Sequence, residues 1–193
     1  MPEDFRSTSD NPVTKPGPSD RPTASDTMVD LAIIGGGSAG LFATFHAGMR
    51  GMSAALLESA PMLGGQPAAL YPEKWIYDIP ALPRVKGEDL AKRLIEQAQT
   101  FEPIIRTGAS VIGLEGGEDG FSLQIADGSS LRAAGVLVTA GIGAFEPRRL
   151  AIENPAAFEG RGVHYVLRRR QDVAGQRVVV AGGGDAAVDW ALM

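Results

Sequence analysis

The sequence predicts an α/β fold built on a parallel sheet, followed by a β-meander and the beginning of a second unit like the first. Three features predict it. Val29-Asp30-Leu31-Ala32-Ile33-Ile34, Val136-Leu137-Val138 and Arg177-Val178-Val179-Val180-Ala181 are short apolar runs. Their length and composition suit strands covered on both faces. Glycine clusters stand directly after the first and last of them, at 35–37 and 182–184, as turns out of strands require. Between them, 86–101 places Leu90, Leu94, Ile95, Ala98 and Phe101 at helical spacing with charges interleaved, and Pro103 marks the end.

The elements follow in order. Residues 1–27 hold little apolar content, and Pro12, Pro16, Pro18 and Pro22 interrupt any helix. Such a stretch cannot bury enough surface to offset its ordering entropy, so an extension without fixed structure is expected. Order should begin near Met28. A strand over 29–34, a helix from the glycine turn to about Arg50 and a second strand over 53–57 make one β-α-β unit. After the amphipathic helix, Ile104-Ile105 is a short strand. The meander comprises 110–114, 121–126 and 131–133, with turns at Asp119-Gly120 and Asp127-Gly128. Residues 136–138 return to a buried strand ending at Thr139-Ala140-Gly141, and 177–181 form another. The expected division is an extension at 1–27, a first domain at 28–150 and the start of a second, incomplete one at 151–193.

Composition excludes several classes. Among 193 residues, 44% are apolar, enough for a core, and the net charge is -5 with 21% charged residues. Nothing in that balance points to nucleic acid or an anionic membrane. With no cysteine, a disulfide scaffold, a thiolate metal site and a redox C-x-x-C are excluded for these residues. No apolar run approaches the roughly 20 residues of a membrane span, and a basic region leading into an apolar core is missing from the start. A cytoplasmic protein is expected.

Gly35-Gly36-Gly37-Ser38-Ala39-Gly40 fits G-x-G-x-x-G between a strand and a helix, the dinucleotide-binding turn of a Rossmann-like unit. Gly35 permits the sharp turn, Gly37 lets a pyrophosphate approach the backbone, and Gly40 lets helix and strand pack closely. The helix start offers unpaired N–H groups and a positive dipole end to phosphate. Glu58 stands at the end of the second strand, where a carboxylate accepts hydrogen bonds from both ribose hydroxyls. It would repel a 2′-phosphate, so NADP is not expected at this first turn. FAD and NAD share the fingerprint, and the turn alone leaves both open.

Further motifs decide between them by resemblance. Gly64-Gly65-Gln66, the run from Ala69 through Tyr71 to Asp78, the run from Thr139 through Phe145 to Arg148, and Gly182-Gly183-Gly184-Asp185-Ala186-Ala187 resemble the thioredoxin-reductase-like (type 2) ferredoxin/flavodoxin–NADP reductases from about residue 29 onward. That resemblance implies an FAD domain with an inserted NADPH domain. It implies that Glu58 holds the adenosine ribose, Gln66 sits beside the flavin end, Tyr71 stacks on the isoalloxazine ring, Val111 contacts adenine through its backbone, and Phe145 packs near the flavin. Gly182, Gly184 and Asp185 fall in the NADPH pyrophosphate turn, with Ser38, Gly35, Gly37 and Gly40 in that of FAD. Taken without the resemblance, Tyr71 could equally be an interfacial aromatic.

Thioredoxin reductases place a redox C-x-x-C just before the first strand of their second dinucleotide domain. Here that stretch reads Tyr165-Val166-Leu167-Arg168-Arg169-Arg170, with Val166 and Arg169 at the expected cysteine positions. A dithiol relay by that route is impossible, so electrons should leave directly from the flavin. The resemblance implies NADPH as donor, ferredoxin or flavodoxin as acceptor, and a homodimer. No side chain is required as acid, base or nucleophile, because the flavin carries the chemistry. A related reductase with a small acceptor such as a quinone is the alternative, as is a truncated, non-catalytic FAD-binding fragment. For such a fragment, residues beyond about 150 should order poorly or pack abnormally, since an isolated parallel strand lacks neighbours. Arg148-Arg149 and Arg168–Arg170 are read first as a solvated face and second as a docking surface for an acidic carrier. His46 and His164 are packing or surface residues in this reading, not metal ligands.

Overall fold

A computed structural model describes residues 28–143 and 149–192. The expectations for 1–27 and for Phe145 fall outside the described residues.

The first described strand lies inside the sheet, between two neighbours. Strand β1 (Met28–Ile34) leads through the glycine turn into helix α1 (Ser38–Met49) and strand β2 (Ala54–Leu57). Short elements follow: α2 (Gly65–Ala69), β3 (Trp75–Ile76) and β4 (Val85–Lys86). The amphipathic helix is α3 (Gly87–Ala98), with a 3-10 turn over Gln99–Phe101. Glu102 then takes a left-handed conformation, φ 52°, and Pro103 leads into β5 (Ile104–Arg106). Strands β6 (Val111–Gly117), β7 (Gly120–Ile125) and β8 (Ser130–Val138) complete a six-stranded sheet in the order β5-β2-β1-β8-β7-β6. β5, β2, β1 and β8 run parallel, and β7 and β6 run antiparallel.

Alternation along β1 and β2 divides the core between the two faces. Ile33 and Leu56, with Leu31 and Ala54, meet Leu41 and Ala47 of α1 and Ala98 of α3. Ala32 and Ala55, with Ile34 and Leu57, meet Leu123, Ile125, Leu131 and Ala133, so the meander strands fold over the opposite face. Parallel strands covered on both sides need such continuous apolar runs.

Three expectations for strands are corrected. Residues 131–133 and 136–138 are one strand, not two. Within β8, 130–133 pair antiparallel with β7, while the stretch from Arg132 to Val138 pairs parallel with β1. The meander and the parallel sheet thus share a strand. Its end is not buried either, for Val138 is 64% exposed. The run 177–181 is not a strand among the described residues, and Val179 is 92% exposed. No described strand lies alongside it, and a strand without ladder partners leaves its amides to water. Downstream, α4 (Asp185–Leu192) does form, yet no side chain in 149–192 is buried.

Candidate functional site

Four parallel strands end at one edge of the sheet. β1 is flanked by β2 on one side and β8 on the other, so the chain leaves β1 at a topological switch point, where α/β sheets bind ligands. The glycine turn sits there. Gly35 has φ 107°, which a side chain rarely adopts. Its N–H donates to the Leu57 carbonyl at 2.8 Å. A Cβ on Gly40 would lie 1.9 Å from the Gly35 carbonyl oxygen, so α1 can approach β1 this closely only with glycine there. Gly37 is different: a Cβ there would meet only Gly65 Cα at 3.8 Å. The space over Gly37 is otherwise open.

Helix α1 starts without a capping side chain and without an acid in its first turn. Its first bond runs from the Leu41 N–H to the Gly37 carbonyl at 2.9 Å. The N–H groups of Ser38, Ala39 and Gly40 precede that ladder and have no intrahelical acceptor. Uncapped donors at the positive end of a dipole suit an anion such as a diphosphate.

Glu58 closes the other side. The Gly36 N–H donates to its Oε2 at 2.6 Å, and the Ala60 N–H donates to Oε1 at 2.7 Å. Its backbone is pinned as well: its N–H donates to the Arg106 carbonyl and its carbonyl accepts from Ala109. The Ser59 hydroxyl adds a longer bond to Oε1 at 3.2 Å; a carboxylate offers about four acceptor positions, so these donors orient it and leave room for one more on Oε2. Val111, at the start of β6, lies just beyond the 106–109 segment that brackets Glu58, and it is half-buried against the core. The structure therefore brings Gly35, Gly37, Ser38, Gly40, Glu58 and Val111 to one edge.

Gln66 and Tyr71 stand along α2 and just after it. Gln66 is exposed and Tyr71 half-buried. The start of α2 abuts the glycine turn, with the Gly64 N–H donating to the Gly36 carbonyl at 2.9 Å. The Tyr71 carbonyl accepts from Lys74, and a Cβ on Gly87 would lie 2.5 Å from it, so the turn at 71–74 packs on the start of α3. Phe145 lies outside the described residues.

Gly182, Gly184 and Asp185 are exposed, with α4 starting at Asp185 as the motif requires but no strand before it. Asp189 of α4 bonds Lys74 at 2.5 Å. That bond holds the Lys74 ammonium above its ordinary value, burial opposes it, and the charges of Asp189, Tyr71 and Asp185 add to it. One ion pair thus ties α4 to the turn at 71–74. Arg169 reaches Glu88 at 3.9 Å, the Arg170 N–H donates to Glu73 at 2.9 Å, and Arg149 meets Glu159 at 3.3 Å. His46 is half-buried, edge-on to Phe42 with ring centres 4.4 Å apart, and bonded to Arg50; His164 is exposed.

Thr139 was not among the residues singled out for the site. Its hydroxyl bridges the carbonyls of Gly35 at 2.9 Å and Ile34 at 3.0 Å, locking the end of β8 to the turn. Gly36 has no role assigned from the sequence either. A Cβ there would meet Leu63 Cδ2 at 2.6 Å and crowd Glu58. A hydroxyl residue ending a buried strand was the available signal for Thr139; Gly36 had none, because Leu63 is remote in sequence.

Among the described residues no group of three His, Cys, Asp or Glu side chains converges to hold a metal ion. No described helix is long and apolar enough to cross a membrane.

The chain is similar to known proteins. It is 51% identical over 166 residues to ferredoxin–NADP reductase 2 of Shouchella clausii, covering 86% of this chain and 50% of that protein. It is 46% identical over 163 residues to ferredoxin–NADP reductase of Thermus thermophilus, covering 84% and 49%. The chain thus spans about half the length of the curated relatives it matches. Among solved structures, thioredoxin reductase of T. acidophilum superposes with a TM-score of 0.58 at 25% identity, covering 69% of this chain and 41% of that one. The fold is the α/β, Rossmann-like one expected. The family model of pyridine nucleotide-disulphide oxidoreductases matches residues 29–193, and the chain belongs to that family.

Proposed function

We propose that the chain carries the FAD-binding unit, at 28–150, and the start of the NADPH-binding unit, at 151–193, of a ferredoxin–NADP reductase. The observation that carries this reading is the Glu58 carboxylate held at 2.6 Å by the Gly36 N–H, beside a helix start with uncapped donors. The identity of about half to named ferredoxin–NADP reductases supports the choice of cofactors and acceptor.

In this reading Gly35, Gly37, Ser38 and Gly40 cradle the FAD diphosphate, and Glu58 accepts from a ribose hydroxyl. Val111 offers its backbone to adenine. Gln66, Tyr71 and Phe145 border the flavin, with Tyr71 stacking on the ring. Gly182, Gly184 and Asp185 begin the NADPH turn. A flavin held there would supply the hydride-accepting and one-electron chemistry that links NADPH to the carrier. The protein binds, orients and shields; none of its side chains needs to transfer a proton. These residues contain no cysteine, so a thioredoxin-type dithiol has no place in the Val166–Arg169 stretch. Ferredoxin is the acceptor favoured by the relatives' names, with flavodoxin, a homodimeric assembly and a cytoplasmic setting belonging to the same proposal.

Titration calorimetry with FAD tests the first part: saturable binding is expected, and no heat from the folded chain overturns it. For the reductase, anaerobic NADPH should bleach the bound flavin of a protein with both units complete. Rapid reduction of ferredoxin or flavodoxin supports the carrier assignment; turnover with a quinone alone replaces it with the small-acceptor reading.

A further inference from the structure

The segment 107–111, which carries Val111 and brackets Glu58, is held in an unusual way. Ala109 is its buried residue, while Thr107 and Gly108 are exposed. Packing alone does not place it. Hydrogen bonds do: the Glu58 N–H donates to the Arg106 carbonyl at 2.9 Å, the Gly108 N–H to the Ala60 carbonyl at 2.9 Å, and the Ala109 N–H to the Glu58 carbonyl at 2.8 Å. At its far end the Ser110 carbonyl accepts from Ala126 at 2.8 Å. The segment therefore spans from the end of β2 to the turn between β7 and β8.

The side chain of Arg106 closes this span into a ring. Its Nη2 donates to Asp127 Oδ2 and to Ser129 Oγ, each at 2.8 Å. The other oxygen of Asp127 accepts the Ser129 N–H at 2.9 Å and the Ser129 hydroxyl at 2.6 Å. Asp127 thus orders its own turn and presents one free oxygen to Arg106. These bonds hold its carboxyl below the ordinary carboxylate value, the Ser129 hydroxyl first, then the Ser129 N–H, with Arg106 contributing less and burial opposing. Both bonds leave one terminal nitrogen, whose two hydrogens serve the two acceptors.

We propose that Arg106 is a positioning residue for the adenosine end of the site. Through Asp127 and Ser129 it anchors the β7–β8 turn to β5, and so fixes 107–111 against Glu58 and the adenine. It touches no ligand in this scheme. The inference rests on the FAD reading above.

The test measures FAD and ADP affinity by calorimetry for the wild-type chain, Arg106→Met, Asp127→Asn and the double variant. ADP isolates the adenosine half. About a tenfold loss for both ligands is expected in each single variant, with the double variant no worse than either, because the two residues act as one unit. The visible spectrum of FAD bound at saturation should match wild type, since the flavin end is undisturbed. Asp127→Asn guards against misfolding of the arginine variant, because the Asp127 side chain is 53% exposed and its serine contacts survive the change. Unchanged ADP affinity in both single variants, additive losses, or an altered flavin spectrum overturns the inference. A wild-type chain that binds neither ADP nor FAD overturns the FAD reading itself.

Discussion

The two glycine turns have nearly the same sequence and opposite surroundings. Gly35-Gly36-Gly37-Ser38-Ala39-Gly40 lies between β1 and α1, with β2 and β8 on either side of β1. Cβ atoms built on Gly35, Gly36 and Gly40 would all lie within 3 Å of neighbouring atoms. In Gly182-Gly183-Gly184-Asp185-Ala186-Ala187, Cβ atoms on Gly183 and Gly184 would meet nothing within 4 Å, and no strand precedes the turn. The first helix start is uncapped and free of acids, while the second carries Asp185 in its first turn. A glycine motif permits a site; sheet neighbours make it one. At the second turn only the backbone angle of Gly182, φ 150°, calls for glycine, whereas at the first turn crowding by neighbouring atoms calls for it as well.

The sharpest way to break this comparison is to add one methyl group to each turn. Gly40→Ala should destabilise the chain by about 3 kcal/mol or more, since the Gly35 carbonyl cannot move without parting α1 from β1. Gly184→Ala should change stability by less than about 0.5 kcal/mol. Urea denaturation of the two variants measures both. Equal effects would mean that the second turn is packed as tightly as the first.

The next effect concerns Glu58. Glu58→Ala leaves the buried Gly36 N–H without its acceptor, a loss of about 1–3 kcal/mol in folding stability. FAD affinity should fall more than tenfold as the ribose loses its acceptor. Asp185→Ala at the second turn should leave FAD affinity unchanged. A parallel loss there would show that the second turn already contributes to the first site.

Limited proteolysis sharpens the contrast at the level of whole segments. None of residues 149–192 is buried, whereas 28–143 contain both apolar clusters. Of these two regions, 149–192 should be cut before 28–143, leaving a resistant core containing 28–143, because local opening is easiest where few apolar contacts must break. Mass spectrometry of early fragments locates the first cut. First cuts inside β1 or α3 would refute the assignment of stability to the first region.

Much of the first region is readable from local pattern, because its function and its folding use the same residues. The apolar run of β1, the positive φ at Gly35 and the carboxylate ending β2 each follow from adjacent residues. What escapes is contact between remote residues. Leu63 over Gly36 and the Thr139 hydroxyl on Gly35 depend on chain reversals that no local pattern specifies. The break the sequence suggests at Ala134-Gly135 is absent because the two edges of β8 are paired over different lengths, 130–133 with β7 and 132–138 with β1. The run 177–181 misleads for the complementary reason. Its composition states a preference for being covered, and the ladder that would satisfy it must come from elsewhere.

The smallest expected effects lie in two exposed polar clasps, one inside the first region and one between regions. Asp30 accepts the N–H of Ser53 at 2.7 Å and its hydroxyl at 2.6 Å, clasping β1 to the start of β2. These bonds, the hydroxyl first, lower its carboxyl from the ordinary 3.8, with desolvation opposing. A lowered carboxylate stabilises the fold above its ordinary value and loses that contribution as pH falls through the lowered one. Asp30→Asn should therefore be slightly less stable than wild type at neutral pH, and the two should converge in acid. Lys74 and Asp189 work in the other direction. The raised ammonium contributes fully below the ordinary 10.5 and is lost as pH rises through its raised value. Both clasps are solvent-exposed, so screening keeps each contribution small. Their consequences still differ, because Asp30 joins strands that packing already holds, whereas Lys74 bonds a segment without buried contacts. Amide exchange in α4 should rise in Lys74→Met and in high salt, while exchange in β1 stays the same in Asp30→Asn. Equal exchange in α4 with and without Lys74 would show that something other than this ion pair restrains the helix.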